Sequence, residues 1–107
     1  MDFNDYQDRA GSYAAYKHEI YPFLGLAEEA GEVAGKMAKY IRKYGLYGSN
    51  EDVEIPGLLD ELGDTLWQLS ECCTVMGYSL EFVAERNLRK LELRKVSGTI
   101  VGEGDNR

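Results

Sequence analysis

Two pairs of acidic residues stand out by type and spacing: Glu29 with Glu32, and Glu61 with Asp64. In helices of 100° per residue, the members of each pair lie about 60° apart on one face. Four carboxylates converging from two helices make an oxygen-only cation site. Four that do not converge are solvated helix faces, and acids in a first helical turn gain about 0.3–1 kcal/mol from the macrodipole. That plainer reading covers Asp60 and Glu61 well. It covers Glu32 less well, because Glu32 sits deeper in its helix beside another carboxylate, where like charges repel unless a cation separates them. Oxygen ligands suit Mg²⁺, with Mn²⁺ as a substitute; zinc would ask for Cys or His, and the lone His18 lies outside both motifs. A di-iron bundle would need Glu-x-x-His on two helices, which the sequence lacks.

The elements that must position these acids are legible from apolar period. A first helix is predicted over about Phe3 to Ala15, with Phe3, Tyr6, Ala10, Tyr13 and Ala14 on one stripe. A second is predicted over about Phe23 to Tyr44, ending at Gly45. A polar loop at Gly48 to Glu54 precedes a third helix, which starts at Pro56 and is ended by Gly77. Ser79 is a good N-cap for a fourth helix, which runs to about residue 96. Residues 97–107 read as an extended tail with three glycines. The fold class is therefore all-α, a four-helix-bundle type in a single domain over 1–107. In both acid-bearing helices the pairs border the apolar stripe instead of opposing it. With Glu29 at zero, Val33, Leu26, Met37 and Ala30 fall between about 40° and 100°, and with Glu61 at zero, Met76, Leu69, Leu62 and Cys73 fall between about 60° and 120°. Packing the stripes together brings the carboxylates to one seam.

Charge and composition narrow the classes. The chain has 107 residues, 12 Lys plus Arg against 19 Asp plus Glu, and a net charge of −7. This argues against duplex nucleic acid or an anionic membrane as partner, since both require a cationic face. A phosphate ligand would need cations to mediate. No apolar run reaches the roughly 18 residues of a membrane span and the start lacks signal-peptide character, so a cytoplasmic protein is expected. Adjacent Cys72 and Cys73 are expected as reduced core thiols.

Taken together, Glu29-x-x-Glu32 and Glu61-x-x-Asp64, the runs Tyr21-Pro-Phe-Leu-Gly-Leu-Ala-Glu-Glu-Ala-Gly-Glu-Val and Leu59-Asp-Glu-Leu-Gly-Asp-Thr-Leu-Trp, and Asn87-Leu-Arg-Lys90-Leu-x-x-Arg94 resemble the signature of the MazG-like all-α nucleoside triphosphate pyrophosphohydrolases. The resemblance extends over nearly the whole chain and is nearest to the small single-domain members of bacteria and phages. It implies Mg²⁺-dependent cleavage of nucleoside triphosphates between the α and β phosphates, giving the monophosphate and pyrophosphate. It also implies that Glu29, Glu32, Glu61 and Asp64 hold the metal and that Asn87 and Lys90 contact the triphosphate; Arg94, one turn further on, is a candidate substrate ligand ranked below those two. The physical logic agrees: carboxylates loaded with Mg²⁺ offer a tetraanion a locally positive surface on an acidic protein.

Other candidates follow from position. Glu28 and Asp60 adjoin the acid pairs and are candidates for orienting water, or equally are solvated acids. Lys36, one turn beyond Glu32 on the carboxylate face, is a candidate phosphate ligand or simply an i, i+4 partner of Glu32. Tyr21, Phe23 and Trp67 lie near the acid motifs and are candidates for nucleobase contact, although most aromatics at helical spacing are core. Leu59 and Trp67 point away from the main stripe of the third helix, at about 160° and 240° from Glu61, so that helix should be surrounded on most sides. A homodimer or homotetramer is expected, with Asp105 and Arg107 reaching toward a neighbouring subunit's site. Two other functions share parts of this pattern: a non-catalytic helical dimerisation module whose acids only keep it soluble, and a hydrolase of a guanosine polyphosphate signalling nucleotide.

Overall fold

The computed structural model describes residues 1–45 and 54–98. Four helices follow one another: α1 (Phe3–Gly11), α2 (Tyr21–Tyr44), α3 (Ile55–Met76) and α4 (Leu80–Ser97). No strand occurs among the described residues, so the all-α expectation holds. Most of the polar loop expected at 48–54, and all of the tail beyond Gly98 including Asp105 and Arg107, lie outside the described residues.

The helix ends show local chemistry at work. Asp2 caps α1 by accepting from the Asp5 N–H at 2.8 Å, and Ser79 caps α4 by accepting from Phe82 N–H at 3.0 Å. Caps of this kind stabilise by about 1 kcal/mol each. Gly77 and Gly98 end α3 and α4 in the left-handed region, with φ of 80° and 74°, where a Cβ would be strained. α1 is shorter than its apolar period suggests. It stops at Gly11 because the Ser12 hydroxyl donates to the Arg9 carbonyl at 2.6 Å, a local bond that competes with continuing the helix. α2 starts earlier than expected, at Tyr21, since Pro22 fits a first turn whose N–H groups have no helical partner.

α2 and α3 form the principal pair. They run antiparallel: Gly25 faces Gln68, Glu29 and Glu32 face Glu61, and Lys36 faces Gly57. At Gly25 an added Cβ would come within 2.7 Å of the Gln68 side chain, so glycine is what lets that amide lie against α2. α1 lies across α3, held by the Trp67 indole N–H donating to the Ala10 carbonyl at 3.2 Å. Gln7 ties α1 to the α3–α4 turn: its Nε2 donates to Thr74 Oγ1 (3.0 Å) and to the Tyr78 carbonyl (3.1 Å), while its Oε1 accepts from Leu80 N–H (2.8 Å). α4 meets α1 again where Asn4 Nδ2 donates to Glu81.

The interior is thin. Pro22, Cys72, Cys73 and Leu80 are the buried apolar side chains among the described residues, and Ser70, Glu71 and Arg94 are buried with them. Both cysteines are free thiols, as expected, and burial pushes their pKa values up. The stripe of α3 that should be core is only partly covered, with Leu62 47% and Met76 62% exposed, and Leu59, to one side of that stripe, is 60% exposed. Trp67, by contrast, is half-buried against α1. The radius of gyration of 16.7 Å exceeds the roughly 13 Å of a compact chain of about this length. No described helix is long and apolar enough to cross a membrane.

Candidate functional site

The antiparallel pairing of α2 and α3 brings Glu29, Glu32 and Glu61 together. One carboxylate oxygen from each lies within 4.8 Å of the others. Glu29 and Glu61 are half-buried and Glu32 is exposed, so the group opens to solvent on one side. Oε2 of Glu29 and Oε2 of Glu61 are buried with no hydrogen-bond partner. Buried acceptors without donors are unfavourable, the more so when charged. Three clustered carboxylates with two orphaned oxygens form an all-oxygen donor set, the kind that suits a hard divalent cation better than a soft one.

Electrostatics point the same way. The Glu61 carboxyl is pushed up from 4.5 to about 7, first by its hydrogen bond with Glu32, then by burial and by the charges of Glu32 and Glu29, with Lys36 pulling it down. Glu29 is raised as well, first by burial and then by the charges of Glu32 and Asp64, against the lowering effect of its hydrogen bond with Glu61. Without a cation, protonation of Glu61 relieves the repulsion among the three groups. A carboxyl whose folded pKa lies above its unfolded value stabilises the fold at low pH and loses that contribution as pH rises through the folded value. The metal-free protein should therefore lose thermal stability between about pH 4.5 and 7, and a divalent cation should restore it, because cation and proton compete for the same oxygens. Melting curves with and without Mg²⁺ at pH 5 and pH 8 check this. The metal-dependent rise in Tm should be small at pH 5 and large at pH 8; an equal rise at both would contradict the assignment.

Asp64 is not part of the three-carboxylate group. It is exposed one turn further along α3, and its charge still acts on Glu29 and on Tyr6, whose hydroxyl is raised first by burial. Glu28 is exposed, and its charge also raises Glu29. Lys36 is half-buried, with its Nζ gathered beside Glu54 over Gly57. On α4, Asn87 and Lys90 are exposed, while Arg94 is 8% exposed with its Nε lacking an acceptor.

Trp67 lines a cavity of about 400 Å³ together with Tyr13, Tyr16, Tyr21, Gln68 and Glu71. Its ring is fixed by the bond to Ala10, and Tyr16 donates its hydroxyl to Glu71 Oε1 at 3.1 Å. The base-contact candidates Trp67 and Tyr21 thus share one concavity, and Phe23 is not among its walls. Gln68 and Glu71 are the residues that the acid-pair motif alone misses. The signal was present: Asp64, Gln68 and Glu71 at i, i+4 and i+7 continue the polar face of α3.

Comparison with known proteins agrees with the geometry. The MazG nucleotide pyrophosphohydrolase domain matches residues 21–98, which span α2 to α4 and every acidic residue just described. The "Gene 37 protein" of Mycobacterium phage L5 is 39% identical over 98 residues, covering 92% of this chain and 84% of that protein. No solved structure matches the chain. From the carboxylates on α2 and α3 and the extent of these matches, the chain belongs to the MazG nucleotide pyrophosphohydrolase family.

Proposed function

We propose that this protein hydrolyses nucleoside triphosphates, ribo- or deoxyribo-, between the α and β phosphates, with Mg²⁺ as cofactor and Mn²⁺ as a substitute. The observation that carries the reading is the convergence of Glu29, Glu32 and Glu61 with two buried, unpartnered oxygens. In this reading these three would hold the cation, with Asp64, exposed one turn further along α3, as the fourth carboxylate of the set. The bound cation supplies charge neutralisation, polarises the phosphoryl oxygens and acidifies water. Glu28 orients the attacking water from its place beside Glu29. Water adds at phosphorus, the α–β anhydride bond breaks, and pyrophosphate leaves the nucleoside monophosphate.

Lys36 meets the phosphates from the carboxylate face, and Asn87, Lys90 and Arg94 contact them from α4. Trp67 and Tyr21 stack on the base. The partly covered stripe of α3 supports assembly as a homodimer or homotetramer, in which a neighbouring copy's helices close the site. Incubation with each common nucleoside triphosphate and Mg²⁺, followed by chromatography, tests the reaction. Monophosphate should form without diphosphate and stop on chelation; a panel left wholly intact would refute the proposal.

A further inference from the structure

The face of α2 that carries the acids continues in both directions with a definite order. Tyr21, Gly25, Glu29, Glu32, Lys36, Lys39 and Lys43 all fall within about 80° of one another at 100° per residue. Read from the N-terminus, this face presents an aromatic residue and a glycine, then two acids, then three lysines. Each end has its own cavity. Tyr21 lines the aromatic concavity with Trp67 and Gln68. A separate cavity of about 320 Å³ beyond the acids is lined by Lys36, Lys39, Lys43, Tyr40, Tyr44 and, as its one acid, Glu54. At 1.5 Å per residue, Lys36 to Lys43 spans about 10 Å along the axis, starting about 6 Å past Glu32.

The lysine cavity is a local exception on a chain of net charge −7. Lys39 and Lys43 are exposed, and Lys43 stands over the Tyr44 ring at 5.2 Å, which holds its ammonium at the cavity wall. Lys36 belongs both to this cavity and to the acid cluster, where its charge lowers Glu61. A ligand running along this face therefore meets an aromatic site, a cation site and an ammonium site in that order. An aromatic base, an anhydride at the cation and a multiply charged leaving group match that order.

We infer that the cavity of Lys36, Lys39 and Lys43 takes the β and γ phosphates, and hence the pyrophosphate leaving group, so that the triphosphate lies along α2 with its base toward Trp67. The inference rests on the pyrophosphohydrolase reading and adds the direction of the substrate and two lysines outside the family signature quoted above. Negative charge builds on the β-phosphate side as the anhydride bond breaks, and fixed ammonium groups there stabilise it.

Inorganic pyrophosphate with Mg²⁺ is the probe, measured by calorimetry on the wild type, on Lys39→Gln/Lys43→Gln and on Lys39→Arg/Lys43→Arg. Binding should weaken at least tenfold in the Gln variant and be kept in the Arg variant. The Mg²⁺-dependent rise in Tm and the affinity for nucleoside monophosphate should stay at wild-type values in both, which also verifies folding. Unchanged pyrophosphate affinity in the Gln variant, an equal loss of monophosphate affinity, or no binding to the wild type would overturn the inference. Because calorimetry needs no turnover, a wild type that binds pyrophosphate through these lysines but consumes no triphosphate would refute the reaction and leave the anion site standing.

Discussion

Glu61→Gln will abolish turnover while leaving the fold intact. Glu61 is the residue that both neighbours share, with hydrogen bonds to Glu29 and Glu32. Gln has the shape of the protonated carboxyl and can donate N–H groups to the same two partners, so the helix pairing survives and the repulsion among the acids falls. The formal charge needed to hold a cation is gone. Loss of a direct ligand should exceed the roughly 10–100-fold cost of removing a residue that only supports one. The rate of monophosphate formation should therefore drop by more than about 100-fold, with Tm in the absence of metal unchanged or higher and its rise on adding Mg²⁺ lost. A folded Glu61→Gln protein with near-normal rate would show that the cluster is not the site.

The second large effect concerns assembly. Ile55, Leu59, Leu62 and Met76 are between 47% and 62% exposed and lie within about 100° on α3. Covering one such side chain stabilises by about 1 kcal/mol, so the strip would act only as a whole, and a second copy would supply matching cover through an isologous contact. Sedimentation equilibrium at micromolar concentration should give at least twice the 12.1 kDa chain mass. Leu59→Arg/Leu62→Arg should shift it to the single-chain mass and lower Tm. An active wild-type monomer would contradict this.

What could be read from the sequence, and what could not, follows from the range of the interactions. Glu29, Glu32 and Glu61 were legible because helical period and the flanking apolar stripe are local properties, and the antiparallel register of α2 and α3 did the rest. Asp64 shares the period but not the cluster. Its side chain is one methylene shorter than Glu, and which acids of a shared face meet across two helices depends on how the helices cross, a detail that no spacing encodes. The Tyr16–Glu71 contact and the role of Gln7 depend on how α1 docks across α3, a pairing over more than 50 residues of sequence. The end of α1 was misplaced for a local reason, the Ser12 hydroxyl, which apolar period ignores. The cover that α1 gives Trp67, through its bond to the Ala10 carbonyl, is likewise a contact over more than 50 residues of sequence.

A pyrophosphohydrolase differs from other triphosphatases in the anhydride bond that it breaks. Phosphorus NMR of a nucleoside triphosphate turned over with Mg²⁺, without any added pyrophosphatase, reads this directly. Pyrophosphate and monophosphate resonances should grow together in a one-to-one ratio and halt when the metal is chelated. Orthophosphate growing in step with nucleoside diphosphate would place the cleavage at the γ position and contradict the account.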